Sequence, residues 1–206
     1  MKIEYLGHSS FMLTADDGTR LVTDPYMGIG YEMKPTEADY VTCSHFHFDH
    51  GYTEAVRGAK LIAQAGEYRC GAFRVCGIAS YHDEVQGAKR GKNVIYVMEA
   101  DGIRVCHMGD IGEPLTDRLA QQIGKVDVLM IPIGGTYTID AGEALEYIER
   151  IAPKMAVAMH FKSEGCMLDI ATEQDLMAKA VGRCVQTGSG IPTAGMEGKI
   201  IIPARK

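Results

Sequence analysis

The sequence predicts an α/β (α+β) protein built on a mixed sheet core, and three observations carry that expectation. The first half reads as a run of hairpins. The second half alternates helix and strand. The 206 residues include 24 glycines, more than a helical bundle would use and suited to many strand-to-loop junctions.

The elements follow in order. Lys2–Leu6 and Ser10–Ala15 alternate in polarity around Gly7-His8-Ser9, and Asp16-Asp17-Gly18 turns the chain into a third strand, Arg20–Asp24. Residues 25–38, rich in glycine, tyrosine and methionine, are looser; both a lid and a subunit contact are open to them. Asp39–Ser44 is an apolar strand, a short helix is expected from near Tyr52, and Lys60–Ala63 is another strand. Tyr68–Arg69 and Phe73–Ser80 form a hairpin ending at Tyr81-His82. After the loop Asp83–Lys92, Asn93–Glu99 and Ile103–His107 pair across Ala100-Asp101-Gly102 and lead to Gly109-Asp110.

From there a helix over Leu115–Gln122 precedes the apolar strand Val126–Ile133. Leu145, Ile148 and Ile151 stand at helical spacing in Ala141–Ile151, which Pro153 stops. Lys154–Met159 is a strand ending at His160, Thr172 can cap a helix over Glu173–Val181, and two short strands close the chain. With no repeat, linker or low-complexity stretch, residues 1–206 read as one domain.

The formal charge of −6, with no long run of either sign, disfavours a nucleic-acid partner, since Lys89, Arg90 and Lys92 are the nearest thing to a basic patch. The N-terminus lacks a signal peptide's apolar stretch and no segment reads as a membrane span. The six cysteines form no C-x-x-C pair, so free thiols in the cytoplasm are expected.

The chemistry concentrates in His45-Phe46-His47-Phe48-Asp49-His50. On a helix, residues two apart diverge; in an extended turn after a strand, His45 and His47 can point to one side. Imidazole and carboxylate suit zinc or another borderline divalent ion. Four ligand-type residues in six positions exceed what one tetrahedral ion easily uses, which implies a second. His82, Asp110 and His160 each stand where a loop leaves a predicted strand, a usual place for site residues.

With these residues in place, the sequence resembles the metallo-β-lactamase superfamily, in particular its small, lactonase-like branch of zinc-dependent hydrolases. The resemblance runs through Tyr5-Leu6-Gly7-His8-Ser9-Ser10-Phe11, the histidine cluster, Tyr81-His82-Asp83 and Arg90-Gly91-Lys92-Asn93. It continues through His107-Met108-Gly109-Asp110, Ile131-Pro132-Ile133-Gly134-Gly135 and Met159-His160-Phe161-Lys162. It implies a four-layer αββα sandwich with two divalent ions at one sheet edge, zinc first and manganese, iron or nickel as alternatives. By resemblance His45, His47 and His82 hold the first ion; Asp49, His50 and His160 hold the second; Asp110 bridges them. Departures are Cys43-Ser44 before the cluster and Glu113 where relatives often carry histidine. His47 stands where flavin-linked di-iron relatives resemble one another in having glutamate, which argues against redox chemistry, and the ligand pattern as a whole is similar to that of hydrolases of thioesters, lactones and phosphodiesters.

Two divalent ions, offset by Asp49, Asp110 and a bridging hydroxide, leave about one net positive charge, which favours a small anionic substrate. Asp49 is the expected catalytic residue, orienting the nucleophile or passing on its proton. His8, Arg90 and Lys162 are the candidates for substrate contact, each weighed against a solvated or packed role. Thr136 and Tyr137 are further pocket candidates, and His107 is expected to be packed and structural. The competing functions are a phosphodiesterase or nuclease and a non-catalytic metal-binding sensor. A homo-oligomer is left open.

Overall fold

Two β-sheets lie face to face, and the chain enters and leaves them so that one edge collects the ends of six strands. The computed structural model describes residues 1–205. Its first strands are β1 (Lys2–Gly7), β2 (Ser10–Thr14), β3 (Arg20–Thr23), β4 (Thr36–Glu37), β5 (Tyr40–Thr42), β6 (Val56–Arg57) and β7 (Lys60–Ile62). Then come β8 (Gly66–Cys70), β9 (Phe73–Tyr81), β10 (Lys92–Ala100), β11 (Ile103–His107), β12 (Val128–Pro132) and β13 (Met155–Met159). β14 (Cys184–Thr187), β15 (Gly190–Ile191) and β16 (Ile200–Pro203) complete the set. The helices are α1 (Asp117–Ile123), α2 (Ala141–Ile151) and α3 (Glu173–Lys179).

One sheet has the order β15-β1-β2-β3-β5-β7 and the other β14-β16-β13-β12-β11-β10-β9-β8; β4 and β6 pair apart from both. β2 is antiparallel to β1 and β3, and β5 is parallel to β3, so β1, β3 and β5 run the same way. β10 is antiparallel to β9 and β11, and β11, β12 and β13 are parallel, so β9, β11 and β13 also share a direction. The mixed hydrogen bonding follows from the connections: hairpins join β1 to β3 and β8 to β11, irregular crossovers link the parallel β3, β5 and β7, and helical crossovers link β11, β12 and β13.

Period-two burial sorts the side chains. Phe11, Leu13 and Leu21 join Val75, Ile95, Val105 and Leu129 in the main core, whereas Val22 and Met12 face the opposite way. β12 and β13 are buried at all five positions, as strands covered on both faces must be. α2 packs on β12 and touches α1 and α3, so the three helices share one layer. Asp140 caps α2 through Gly142 N and Glu143 N while the Glu143 carboxylate returns to Asp140 N.

The cover outside the first sheet is irregular. Tyr26, Ile29, Tyr31, Met33, Ala55 and Val56 pack over Val22 and Val41. The helix expected from near Tyr52 is only a 3-10 turn, Thr53–Ala55. Val56 is drawn into pairing with Thr36, and Gly58 has φ +76, which leaves too few residues to nucleate a helix. The predicted helices 115–122 and 173–181 are observed as Asp117–Ile123, capped by Thr116, and Glu173–Lys179. Three short strands, not two, follow the last helix. The six cysteines are free, and among the described residues no helix is long and apolar enough to cross a membrane.

Candidate metal centre

Each strand of the shared edge delivers a polar residue at its C-terminal end: His8 after β1, Asp24 after β3, His45–His50 after β5, His82 after β9, Asp110 after β11 and His160 after β13. His8, Asp24 and His160 have φ of +53, +38 and +50, so three of the six described non-glycine residues with positive φ gather here. Such backbone is costly for residues with a Cβ and persists where the surroundings enforce it. Gly109, with φ +56, is required for another reason. A Cβ there would collide with Asn93 Oδ1 and lie 2.6 Å from Ser44 Cβ. The close approach lets Asn93 Oδ1 accept from Asp110 N at 3.0 Å.

The seven predicted ligands converge. His45, His47 and His82 form one group; Asp49, His50 and His160, joined by His8, form another; in each, one potential ligand atom per residue lies within 4.8 Å of the rest. Asp110 stands between them. Its Oδ1 is 3.1 Å from His50 Nε2, and its Oδ2 is 3.2, 3.3 and 3.8 Å from Nε2 of His160, His82 and His45. Two donors each about 2.1 Å from a common ion are separated by about 3.0–3.4 Å, so most of these spacings suit shared coordination. The hydrogen bonding points the same way: Nε2 of His45, His50 and His160 and Oδ1 of Asp110 are buried without a hydrogen-bond partner. Native interiors rarely leave such atoms unsatisfied. Five imidazoles and two carboxylates aimed at one another are a donor set that divalent cations fit.

The electrostatics of the metal-free protein are consistent with that. Burial lowers His45 to about 3 and His8 to about 4, and also lowers His47. Burial acts against protonation of His160 too, but the Asp110 carboxylate outweighs it and pushes His160 up to about 9. His50, against the same burial, is raised well above its ordinary value by Asp110 and Asp49. Burial opposes ionisation of Asp49 and Asp110, yet the neighbouring imidazoles hold both below the usual carboxylate range. Protons on His50 and His160 thus offset the carboxylate charge when no cation does.

One residue that sequence reasoning passes over organises this cluster. Asp24, fully buried, accepts from Ser44 N at 2.8 Å and from Ser44 Oγ, and pairs with His50 Nδ1 at 2.8 Å. It turns His50 Nε2 toward the centre, as carboxylates behind metal-binding histidines do. Its only trace in the sequence is a carboxylate at a strand end before Pro25, which a turn accounts for equally well.

The candidates for substrate contact separate. His8 is fully buried, with Nε2 3.3 Å from Asp49 Oδ2, and does not stand at the mouth. Arg90 lines a cavity of about 340 Å³ beside His82, donates to Thr136 O at 2.9 Å and lies over the Tyr137 ring. Asp83 fixes that loop by accepting from the backbone N–H groups of Val85, Gly87, Lys89 and Arg90. Lys162 is not brought to the cluster: Phe161 is buried, and Lys162 lines a groove of about 600 Å³ whose lining includes none of the cluster residues. His107 is buried, with Nε2 2.7 Å from Ser9 O and Nδ1 accepting from Gly109 N at 3.2 Å. Glu113, which accepts from Tyr81 N, lines an open cleft of about 850 Å³ that also reaches His45 and Phe46. Phe46 and Phe48, between the ligands, are 68% and 54% exposed.

A two-sheet sandwich with a histidine–aspartate cluster at one edge defines a class of metal-binding α/β protein. Residues 2–160 match the family described as the beta-lactamase superfamily domain, and the chain belongs to the metallo-β-lactamase superfamily. It is 31% identical over 194 residues to a UPF0173 metal-dependent hydrolase of Carboxydothermus hydrogenoformans, covering 79% of this chain and 85% of that one. A crystal structure from Thermotoga maritima, assigned to the Zn-dependent hydrolases of the superfamily, matches with TM-score 0.83 and 31% identity over 100% of this chain and 99% of that one. An isothiocyanate hydrolase from Delia radicum gut bacteria shares the fold at TM-score 0.67 and 15% identity, covering 99% and 96% of the two chains.

Proposed function

We propose that this chain is a metal-dependent hydrolase that works with two divalent ions, zinc foremost, on a small anionic lactone, ester or thioester. The observation that carries the reading is the position of Asp110, whose two carboxylate oxygens lie within 3.3 Å of imidazoles from both ligand groups. His45, His47 and His82 would hold one ion, Asp49, His50 and His160 the other, and Asp110 would be shared. Bound ions supply Lewis acidity and a water made acidic enough to attack near pH 7.

The chain's own residues account for the remainder. His47 is exposed while the other ligands are buried, so substrate approaches from its side. Asp49, whose carboxyl the neighbouring imidazoles hold below the usual carboxylate range against burial, is the group that orients attacking water or passes on its proton. Arg90, braced by Thr136 O beside His82, is the cation available to an anionic substituent.

Asp110→Ala tests the reading. Metal content by mass spectrometry should fall from two ions toward one or none, and turnover of a lactone, ester and thioester panel should drop at least ~10³-fold. Full activity in chelator-treated protein would exclude it, and a phosphodiester in the same panel covers the nuclease alternative.

A further inference from the structure

We propose that His8 is itself a ligand of the second ion, which would then be held by three imidazoles and Asp49, with Asp110 shared. The assignment rests on the two-ion reading above and adds a residue from the far end of the chain to it.

The distances come first. His8 Nε2 lies 3.3 Å from Asp49 Oδ2, long for a charge-assisted hydrogen bond but the spacing expected of two donors on one ion. The His8 ring centroid is 4.3 Å from that of His160 and 5.2 Å from that of His50. One ligand atom each from His8, Asp49, His50 and His160 fits within a common 4.8 Å. Opposite vertices of an octahedron with bonds of about 2.1 Å are about 4.2 Å apart, so four donors on one ion fit that limit.

A packed structural imidazole looks different, and this protein contains one for comparison. His107 is equally buried, yet both its nitrogens have partners on the backbone. The only hydrogen-bond partner of the His8 ring is Asp49, and its buried Nδ1 has none. No second hydrogen bond holds the ring in its orientation, so the direction of Nε2 toward the cluster is what its placement achieves.

The backbone is shaped to the same end. The β1–β2 register shifts between Tyr5 and Gly7, and Gly7 has φ +125 with the Tyr26 hydroxyl where a Cβ would be. His8 follows in the left-handed region at φ +53. Its carbonyl accepts from Tyr5 Oη and from His160 N, both at 3.1 Å, so the strained turn is tied directly to another ligand's backbone. Bulges and strained residues of this kind gather at functional sites, where they aim a side chain.

The experiment is a zinc titration against a chromophoric chelator, paired with the visible absorption of the cobalt-substituted protein, on wild type, His8→Ala and His8→Gln. The first ion should bind all three proteins alike, which also reports an intact fold. The second ion should bind His8→Ala at least tenfold more weakly, and the cobalt absorption of the second equivalent should change in shape and intensity. His8→Gln separates a ligand from a positioning residue. Its amide can still hydrogen-bond Asp49 but replaces imidazole poorly on zinc, so it should show the same loss, and it decides the matter if the alanine variant is unstable. Second-ion affinity within twofold of wild type in His8→Ala, or recovery in His8→Gln, would overturn the assignment. A wild-type protein that binds a single ion would instead remove the two-ion reading, and the assignment with it.

Discussion

Replacing Asp24 by asparagine keeps the side-chain volume and removes one acceptor and one charge, at a residue that is fully buried. In the native arrangement Oδ1 accepts from Ser44 N, while Oδ2 faces Ser44 Oγ and His50 Nδ1. An amide NH₂ in the Oδ2 position would set a donor against His50 Nδ1–H and favour the tautomer with its proton on Nε2, the nitrogen that faces Asp110 at 3.1 Å. In the Oδ1 position it would oppose the Ser44 N–H. The second orientation leaves a buried donor opposed, as does the first while His50 Nδ1 keeps its proton, at a cost of about 1–3 kcal/mol. Loss of a carboxylate behind a metal-binding histidine typically weakens the metal about 10- to 100-fold, or roughly 1.4–2.7 kcal/mol. Chelator-competition titration with zinc should therefore show a second ion bound at least tenfold more weakly. Thermal unfolding in excess chelator would report the separate cost to the fold. Ser44→Ala, which spares the Asp24–His50 pair, should lose less. A folded Asp24→Asn protein that binds both ions within twofold of wild type would refute the idea that Asp24 sets His50 for coordination.

With His160 raised to about 9 and His50 also raised in the metal-free protein, zinc loading at pH 7 should release at least one proton, and the His160 share of that release should fade above about pH 9. Calorimetry in buffers of different ionisation enthalpy measures it, and an uptake that is independent of the buffer would contradict it. The same raised His160 contributes on the order of 3 kcal/mol to the metal-free fold, fully present below about pH 6.5 and lost as the pH climbs through about 9. His8 and His45, lowered to about 4 and 3, act oppositely, with stability lost as the pH falls below about 6.5. Melting of chelator-treated protein should thus peak near neutrality, and a profile level from pH 6 to 9 would count against the charge assignments. Gly109→Ala forces a Cβ against Asn93 Oδ1 and strains a φ of +56, so it should destabilise the fold by at least about 2 kcal/mol and detach Asp110 N from Asn93. Denaturant unfolding tests this, with an unchanged midpoint as the contrary result.

The ligand cluster is legible in the sequence because its information is local. Four coordinating residues in six positions of one turn are far more than packing or solvation of a loop calls for, and the apolar runs that form β12 and β13 make the alternation after Gly109 plain. His82, Asp110 and His160 can be read because each follows a strand that the hydrophobic pattern marks. Asp24 cannot, since its meaning lies in contacts with Ser44 and His50, 20 and 26 residues further on. The cover over residues 25–59 departs from the helix expected near Tyr52 for a related reason: pairing of β4 with β6 is a tertiary choice that overrides local helix propensity. Lys162 lies away from the cluster because adjacency in sequence to His160 does not survive the left-handed turn at that residue.

The side chains of the candidate centre divide by sheet. His8, His45, His47, Asp49 and His50 hang from the six-stranded one, whereas His82, Asp110 and His160 hang from the eight-stranded one. Whatever cations sit between them are therefore rivets across a seam as well as reagents. At a thousandfold excess over its dissociation constant a bound ion adds about 4 kcal/mol to the folded state, and here that grip is applied where the two halves would part. A variant that loosens its hold on the ions to turn over faster would also unfasten the crevice, so durability and speed are tethered to one clasp.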